Sequence, residues 1–311
     1  MEVIHSPDDA RRYVWSLRSQ GRTVGLVPTM GALHEGHLSL VKAAGTCDST
    51  VATIFVNPTQ FRPNEDLDKY PRSLDEDLEQ LKNAGVKAVF VPDQERMYPE
   101  GFSSYVEPPE VAKPLEGICR PGHFRGVTTV VLKLLQAIPA SHAYFGKKDY
   151  QQWRVIEAMV RDLNVGTKII GCPTVRESDG LALSSRNRYL DPEQRRRALL
   201  LSKALSKTEA EFRAGETQTE ELQQCMRRTL LGLDNAAGAT VGSEHGSTPI
   251  QGMDKIDYAA IVAADTLTTL SSLDRPAVAV IAGYVGKTRL IDNRELNISL
   301  VTCTVFSHHF Q

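Results

Sequence analysis

From residue 24 to about residue 170, the sequence alternates short apolar runs with segments of helical period. The apolar runs, rich in β-branched residues, lie at residues 24–27, 50–56, 88–91, 142–145 and 167–170. The segments of helical period lie between them, at residues 38–44, 73–85, 127–137 and 150–163. Repeated β-then-α units with short links predict a parallel sheet with helices on both faces. Ligands of such sheets bind beyond the carboxyl ends of the strands.

The pattern changes after about residue 176, where two charged helical segments precede several strand-like ones. The helical segments lie at residues 192–213 and 217–231, and the strand-like segments at residues 257–262, 277–282 and 288–291. Helices followed by a small, mostly antiparallel sheet predict a second, smaller α+β domain. We therefore expect an α/β domain at residues 1–175 and an α+β domain at residues 176–311.

Two stretches of the second domain do not fit this pattern. Residues 236–249 are rich in Gly, Ala, Ser and Thr, which predicts a flexible insertion. The tail after Leu296 is β-prone, and the pattern assigns it to no sheet.

The helical segment at residues 73–85 carries signals for both of its ends. Ser73 is followed three residues later by Glu76, which predicts a capping box at the helix start. Gly85 is the residue type that most often ends a helix.

Composition excludes several classes of protein. A hydrophobic content of 41% and a charged content of 24% are typical of a soluble globular protein. A formal net charge of -2 argues against a nucleic-acid partner, because proteins that bind nucleic acids usually carry an excess of basic residues. No apolar run approaches the roughly 18 residues of a membrane span. The five scattered cysteines lack metal-ligand spacing and predict reduced thiols in a cytoplasmic protein.

Residues 28–37 follow the first apolar run and contain two glycines and two histidines. Gly31 and Gly36 let the backbone approach a phosphate closely, and free N–H groups at a helix start favour an anion. His34 and His37 add groups that can follow charge at a reacting phosphorus. The pattern predicts that a nucleotide triphosphate reacts here, with two surface histidines as the plain alternative. A zinc site is disfavoured because the histidines are three residues apart and no third ligand is evident.

A second motif, at residues 57–61, follows the next strand. Gln60 would project at the same sheet edge, where its neutral amide can donate to a carboxylate or a hydroxyl. A simple turn is the alternative, because Asn57-Pro58 is a common turn signal.

A third motif, at residues 145–152, contains a lysine pair that could neutralise phosphate charge. Gln152, one turn into the following helix, could face the same cleft. The alternative is a solvated lysine pair with Asp149 as a helix cap. The sequence leaves open which of Lys147 and Lys148 points inward.

A fourth motif, at residues 176–187, has a turn signal at Asp179-Gly180. Ser184, Ser185 and Arg186 then supply two hydroxyls and a guanidinium fork that suit triphosphate oxygens. A polar loop between domains is the alternative. The run Arg-Pro-Gly-His-Phe-Arg-Gly at residues 120–126 is loop-like and weak by itself.

Taken together and in this order, the motifs closely resemble those of the pantothenate synthetase, or pantoate–β-alanine ligase, family. The matching stretches are residues 27–40, 54–61, 66–72, 120–126, 145–152 and 179–187. The resemblance is close over residues 1–230 and looser beyond them. It implies a Rossmann-like first domain of the nucleotidylyl-transferase type, a smaller C-terminal domain acting as a lid, and a homodimer.

The resemblance also implies a reaction. In the family, ATP with Mg²⁺ adenylates the carboxylate of pantoate and releases pyrophosphate. β-Alanine then attacks the acyl adenylate to give pantothenate and AMP. No residue is assigned as a metal ligand.

Carried over residue by residue, the resemblance implies the following roles. The ATP contacts are Met30, Gly31, Ala32, Leu33, His34, Glu35, Gly36, His37, Gly146, Lys147, Lys148, Asp149, Val175, Leu183, Ser184, Ser185 and Arg186. The catalytic residues are His37 as general acid, His34 as a phosphate contact, and Lys148 on the phosphates. Gln60 and Gln152 hold pantoate, with Gln60 also near β-alanine.

Three departures and three alternatives accompany these expectations. Two of the departures are the stretch at residues 236–249 and the tail after Leu296, which look like additions to the family pattern. Leu183 stands where methionine is most common in the family, a swap of similar apolar volume that keeps adenine packing.

The first alternative function is that of a nucleotidylyltransferase with another small-molecule acceptor, which would need basic residues for an acceptor phosphate. A non-catalytic nucleotide-binding protein is disfavoured because every expected polar position is filled. A tRNA-charging role is opposed by the acidic balance and the lack of an anticodon-binding extension.

Overall fold

The structure, a computed structural model, describes residues 1–62, 65, 67, 70, 71, 73–235 and 251–297. The predicted insertion at residues 236–249 and nearly all of the tail after Leu296 lie outside these residues, as do four positions of the matching stretch at residues 66–72. The chain forms two compact units, Met1–Val175 and Arg176–Gln311.

The first unit is built on a parallel sheet. Within the described residues it has six strands: β1 (Glu2–Ile4), β2 (Val24–Thr29), β3 (Ser49–Ile54), β4 (Ala88–Phe90), β5 (His142–Gly146) and β6 (Lys168–Cys172). Their order is β1-β4-β3-β2-β5-β6, and every pair is parallel. The chain leaves β2 toward β3 on one side, whereas β5 pairs with β2 on the other. The carboxyl ends of β2 and β5 therefore flank a topological switch point, where ligands of open α/β sheets bind.

Helices connect these strands, as the alternating pattern predicts. They are α1 (Pro7–Arg18), α2 (Glu35–Ala44), α3 (Leu74–Asn83), α4 (Gln94–Met97), α5 (Glu116–Cys119), α6 (His123–Ala137) and α7 (Tyr150–Asp162). The sequence pattern did not predict β1 or α1. The predicted capping box at Ser73 is wrong, because the Ser73 side chain makes no capping hydrogen bond. The predicted helix end at Gly85 is confirmed by its left-handed φ of +85° directly after α3.

Alternation along the central strands divides the core into two layers. Val24 and Leu26 of β2 point to the face covered by α1, α6 and α7, whereas Val27 belongs to the opposite face with Leu40 and Val41 of α2. All six residues of β3 are buried, as expected for a strand that is covered on both faces. The two buried layers fix the strand ends that carry the polar motifs.

The second unit combines two helices with an antiparallel sheet. Helices α8 (Pro192–Arg213) and α9 (Thr219–Leu230) precede β7 (Lys255–Ala263), β8 (Ala277–Val285) and β9 (Thr288–Leu296). The strands pair in the order β7-β8-β9, and leucines of both helices share a core with β8. The predicted fold class, a Rossmann-like parallel sheet followed by a smaller α+β domain, is confirmed. Within the described parts of the chain, no helix is long and apolar enough to cross a membrane.

Candidate active site

The turn after β2 is held from inside the protein. Gly31 and Ala32 have left-handed φ angles of +81° and +49°, and the N–H groups of Ala32 and Leu33 donate to the carboxylate of Asp77 at 2.9 and 2.8 Å. The N–H of Gly31 donates to Thr29 Oγ1 at 3.2 Å. The sequence pattern predicts free N–H groups for a phosphate here, but these three already have protein acceptors. Any phosphate contact of this motif therefore depends mainly on its side chains and on the start of α2.

His34 forms the start of helix α2. Its Nδ1 accepts a hydrogen bond from the N–H of Gly36 at 3.1 Å, and its carbonyl oxygen accepts the N–H of His37 at 2.8 Å. Because Nδ1 acts as an acceptor, a neutral His34 carries its proton on Nε2. This cap orients the ring and leaves Nε2 as the donor.

The rings of His34 and His37 stack with centroids 4.1 Å apart. Burial lowers the pKa of His37 to about 3, helped by the charges of His34 and Lys148 and opposed by Asp149. The buried His37 Nδ1 finds no hydrogen-bond partner among the residues that the structure describes. His37 is therefore neutral at physiological pH in the unliganded protein, and an anionic ligand would raise its pKa.

Gln60 ends a short 3₁₀ turn, Pro58–Gln60, after β3. Its Oε1 accepts a hydrogen bond from Asn57 Nδ2 at 3.1 Å, and its Nε2 lies 3.1 Å from Met30 Sδ. The buried Asn57 is itself held by Tyr98, whose hydroxyl donates to Asn57 Oδ1 at 2.7 Å. The structure thus brings the predicted pantoate residue Gln60 against Met30 of the predicted ATP motif. The sequence pattern carries no signal for this contact between Asn57 and Tyr98.

The start of helix α6 supports the same turn. A Cβ added to Gly126 would lie 2.3 Å from the carbonyl oxygen of Thr59, so only glycine allows this approach. His123 Nδ1 donates to the carbonyl oxygen of Gln60 at 2.9 Å, and its Nε2 accepts from Arg120 at 3.1 Å. Burial and the Arg120 charge lower the pKa of His123 to about 4. The run at residues 120–126, weak in sequence, therefore packs directly behind Gln60.

The motif after β5 separates the two lysines. Lys147 Nζ lies 4.9 Å from the centre of the Trp153 ring, whereas Lys148 and Asp149 act on the charge of His37. Lys148 is thus the lysine whose charge lowers the pKa of His37. The Asp149 side chain makes no capping hydrogen bond to α7, contrary to the alternative of a helix cap.

Two neighbouring glutamines on the first turn of α7 differ in environment. Gln151 is buried and hydrogen-bonds the backbone of Val111, Pro114 and Glu116. These hydrogen bonds fix the loop that contains the three backbone groups, so the Gln151 amide has a structural role. Gln152 is partly exposed, which leaves it as the amide that can meet a ligand.

The remaining predicted ATP residues lie after β6. Val175 is the last residue of the first unit, and Leu183 and Ser184 belong to the second. Ser184 Oγ accepts a hydrogen bond from the N–H of Arg186 at 3.3 Å and caps the 3₁₀ turn Ser185–Tyr189. Their contact with ATP stays a prediction.

Metal ligands are the least defined part of the site. Over the described ranges of the chain, no group of three or more His, Cys, Asp or Glu side chains could hold a metal ion. The protein therefore offers no carboxylate or imidazole cage of its own in these ranges.

Comparison with known proteins gives consistent matches. Residues 2–295 match the sequence model of the family described as pantoate-beta-alanine ligase. A pantothenate synthetase of Rhodopirellula baltica is 50% identical over 303 residues, which cover 96% of this chain and 100% of the relative. A crystal structure of pantothenate synthetase from Thermus thermophilus matches with a TM-score of 0.84 at 40% identity, covering 96% of this chain and 100% of that one. A pantoate-beta-alanine ligase from Francisella tularensis, complexed with "Beta-gamma ATP" and β-alanine, matches with a TM-score of 0.72 at 36% identity, covering 94% and 97%.

Proposed function

Because this chain belongs to the pantoate-beta-alanine ligase family, we infer that it condenses pantoate with β-alanine at the expense of ATP. The observation that carries the residue assignment is the meeting of two motifs at one sheet edge. His34 and His37 stack at the end of β2, and Gln60 at the end of β3 contacts Met30. This arrangement on neighbouring strands supports a phosphate-handling role for the histidine pair and a carboxylate-binding role for the Gln60 amide.

We propose that the first step is adenylation of pantoate. A pantoate carboxylate oxygen attacks the α-phosphorus of ATP, an O–P bond forms, and the bond to the β-phosphate breaks to release pyrophosphate. A carboxylate is a poor acyl electrophile, and the mixed anhydride with AMP supplies a good leaving group. The amine of β-alanine then attacks the acyl carbon, the amide C–N bond forms, AMP leaves, and the amine loses a proton.

The histidine pair and Lys148 act on the charge that builds up on the phosphates. His34 presents Nε2–H, and the anionic triphosphate raises the pKa of His37 enough for it to donate a proton. Lys148 adds a fixed positive charge near His37. Ser184, Ser185 and Arg186 of the second unit offer hydroxyl and guanidinium donors of the kind that suits phosphate oxygens.

Gln60 and Gln152 bind pantoate. Asn57 holds Oε1 of Gln60, so Nε2 is the atom left to donate to the pantoate carboxylate or hydroxyl. A neutral amide can donate to the hydroxyl and to the single carboxylate of a hydroxy-acid. An acceptor that carries a phosphate would instead require basic residues.

Further parts of the proposal concern the metal, the second unit and the assembly. Mg²⁺ usually uses substrate phosphates and few protein carboxylates, so the ATP phosphates would hold the ion, and it would offset part of their negative charge. The smaller unit acts as a lid that protects the acyl adenylate from water. The enzyme works as a homodimer in the cytoplasm.

Isotope exchange between ATP and labelled pyrophosphate tests this function. We expect exchange that requires pantoate and proceeds without β-alanine, because adenylation precedes amide formation. A small panel of other carboxylic acids serves as the control and should support little exchange. Exchange that ignores pantoate, or that needs β-alanine, would overturn the proposed order.

A further inference from the structure

Asp77 is a buried carboxylate on helix α3 that reaches the turn after β2. The residue is 1% exposed, and its two oxygens accept the N–H groups of Ala32 and Leu33. The residues are more than forty positions apart in sequence, so only the tertiary fold joins them. The carboxylate satisfies two buried backbone donors at once.

The turn needs such an anchor because its backbone is unfavourable. Ala32 has a φ of +49°, in the left-handed region that non-glycine residues rarely occupy. At Gly31 an added Cβ would lie 2.9 Å from Asp77 Oδ2, so the carboxylate packs directly against the glycine. Without its two acceptors, the turn would lose the contacts that hold this conformation.

The conformation of this turn determines the positions of His34 and His37. His34, the residue after Leu33, caps α2, and its ring stacks on His37. A shift of the turn would therefore move both imidazoles.

We propose that Asp77 is a positioning residue for adenylation, whose carboxylate fixes the 30–33 turn and through it the His34–His37 pair. This inference rests on the proposed function of the two histidines at ATP. Asp77 itself touches neither the nucleotide nor pantoate in this proposal.

The principal variant is Asp77→Asn, which keeps the side-chain size and one acceptor oxygen but turns an NH₂ toward a backbone donor. We expect kcat for pantoate-dependent pyrophosphate exchange to fall about 100-fold, the cost typical of a misplaced catalytic group. Aminolysis of added pantoyl adenylate by β-alanine should slow much less, because no pyrophosphate is expelled and no pentacoordinate phosphorus forms in that step. Asp75→Asn, an exposed carboxylate on the same helical turn, is the matched control and should exchange like the wild type.

A second variant and a spectroscopic readout separate positioning from loss of fold. Gly31→Ala disturbs the same contact from the turn, and the double variant should lose less than the product of the two single losses. The imidazole NMR signals of His34 and His37 should shift in a folded Asp77→Asn protein and keep their positions in Asp75→Asn.

The outcomes distinguish this inference from the proposed function. A folded Asp77→Asn protein with wild-type exchange and unshifted imidazole signals would overturn the positioning role alone. An equal loss in both half-reactions would overturn it too, since it would indicate a general structural effect. A wild-type protein without pantoate-dependent exchange would overturn the proposed function, while the NMR comparison would still report on the anchor.

Discussion

The imidazole rings of His34 and His37 stack at a centroid distance of 4.1 Å and an interplanar angle of 29°. Two cations at this distance repel each other, so the stack disfavours a positive charge on both rings at once. An anionic ligand beside the pair changes this balance, because it favours the charged form of either ring. The stack thereby links the protonation of His37 to the occupation of the site.

The first prediction concerns the pKa of His37 with and without a bound nucleotide. Burial and the His34 charge lower the pKa of His37 to about 3. The ring should therefore stay neutral from neutral pH down to the lowest pH at which the protein remains folded. His34→Asn should raise this pKa, and a non-hydrolysable ATP analogue should raise it further. NMR titration of the ring measures both effects. A midpoint near the ordinary histidine value of about 6.5 in the free protein would contradict this prediction.

The two histidines with lowered pKa predict how stability depends on pH. His37 and His123 have folded-state pKa values of about 3 and about 4, below their unfolded value of about 6.5. At pH values between the folded-state and the unfolded-state pKa, the unfolded chain binds more protons than the folded protein does. The free energy of unfolding should therefore fall as pH falls below about 6.5. Each residue contributes up to about 1.4 kcal/mol per pH unit.

Denaturation of the wild type and of His123→Gln at a series of pH values checks this slope. The variant loses one of the two histidines, so its stability should depend less steeply on pH than that of the wild type. Equal slopes for the two proteins would contradict the assignment to His123, whatever the variant's absolute stability.

His37→Gln tests the catalytic role of the ring. The amide keeps a donor of similar reach but does not transfer a proton, so exchange should slow about 100- to 10,000-fold. ATP affinity should change much less, because the phosphate contacts proposed for His34 and Lys148 would remain. Steady-state exchange and equilibrium nucleotide binding measure the two effects. The exposed His5 supplies the control His5→Gln, and unchanged turnover in His37→Gln would remove the proton-donor role.

The lysine pair offers a matched comparison. Lys148 acts on the charge of His37, whereas Lys147 lies over Trp153. Lys148→Met should therefore slow pyrophosphate exchange more than Lys147→Met does. It should also raise the pKa of His37, since the Lys148 charge lowers it. Equal effects of the two substitutions on both measurements would show that the side chains do not differ in role.

Gly126→Ala tests the packing behind Gln60. Its Cβ would meet the carbonyl oxygen of Thr59 at 2.3 Å, so we expect destabilisation of about 1–3 kcal/mol, typical of overpacking, together with weaker pantoate binding. Gly166→Ala is the control, because an added Cβ there meets nothing within 4 Å. Denaturation and the KM for pantoate check both effects. Wild-type values for Gly126→Ala would contradict the close approach of α6.

Some features were predictable because they depend on neighbouring residues in the chain. The alternation of apolar runs predicts β2, β3 and β5 and the parallel sheet, since a strand covered on both faces must be continuously apolar. Spacing likewise places His34 at the start of α2. The predicted cap at Ser73 was wrong, because the sequence signal of a capping box does not report whether the side chain finds the backbone donor.

Other features depend on residues far apart in the chain. Asp77, Asn57 and Tyr98 look like ordinary helix, turn and loop residues in the sequence, and their roles come from partners that only the folded chain brings near. The same holds for Lys147 and Lys148, which are adjacent in sequence but meet different neighbours.

The sequence by itself therefore determined the strand–turn–helix order and the residue types at each strand end, because local periodicity and turn chemistry encode them. The tertiary structure decided which backbone donors are already occupied, which lysine acts on His37, and how far the His37 pKa falls. Burial and long-range contacts set these properties, and no local pattern in the chain specifies them.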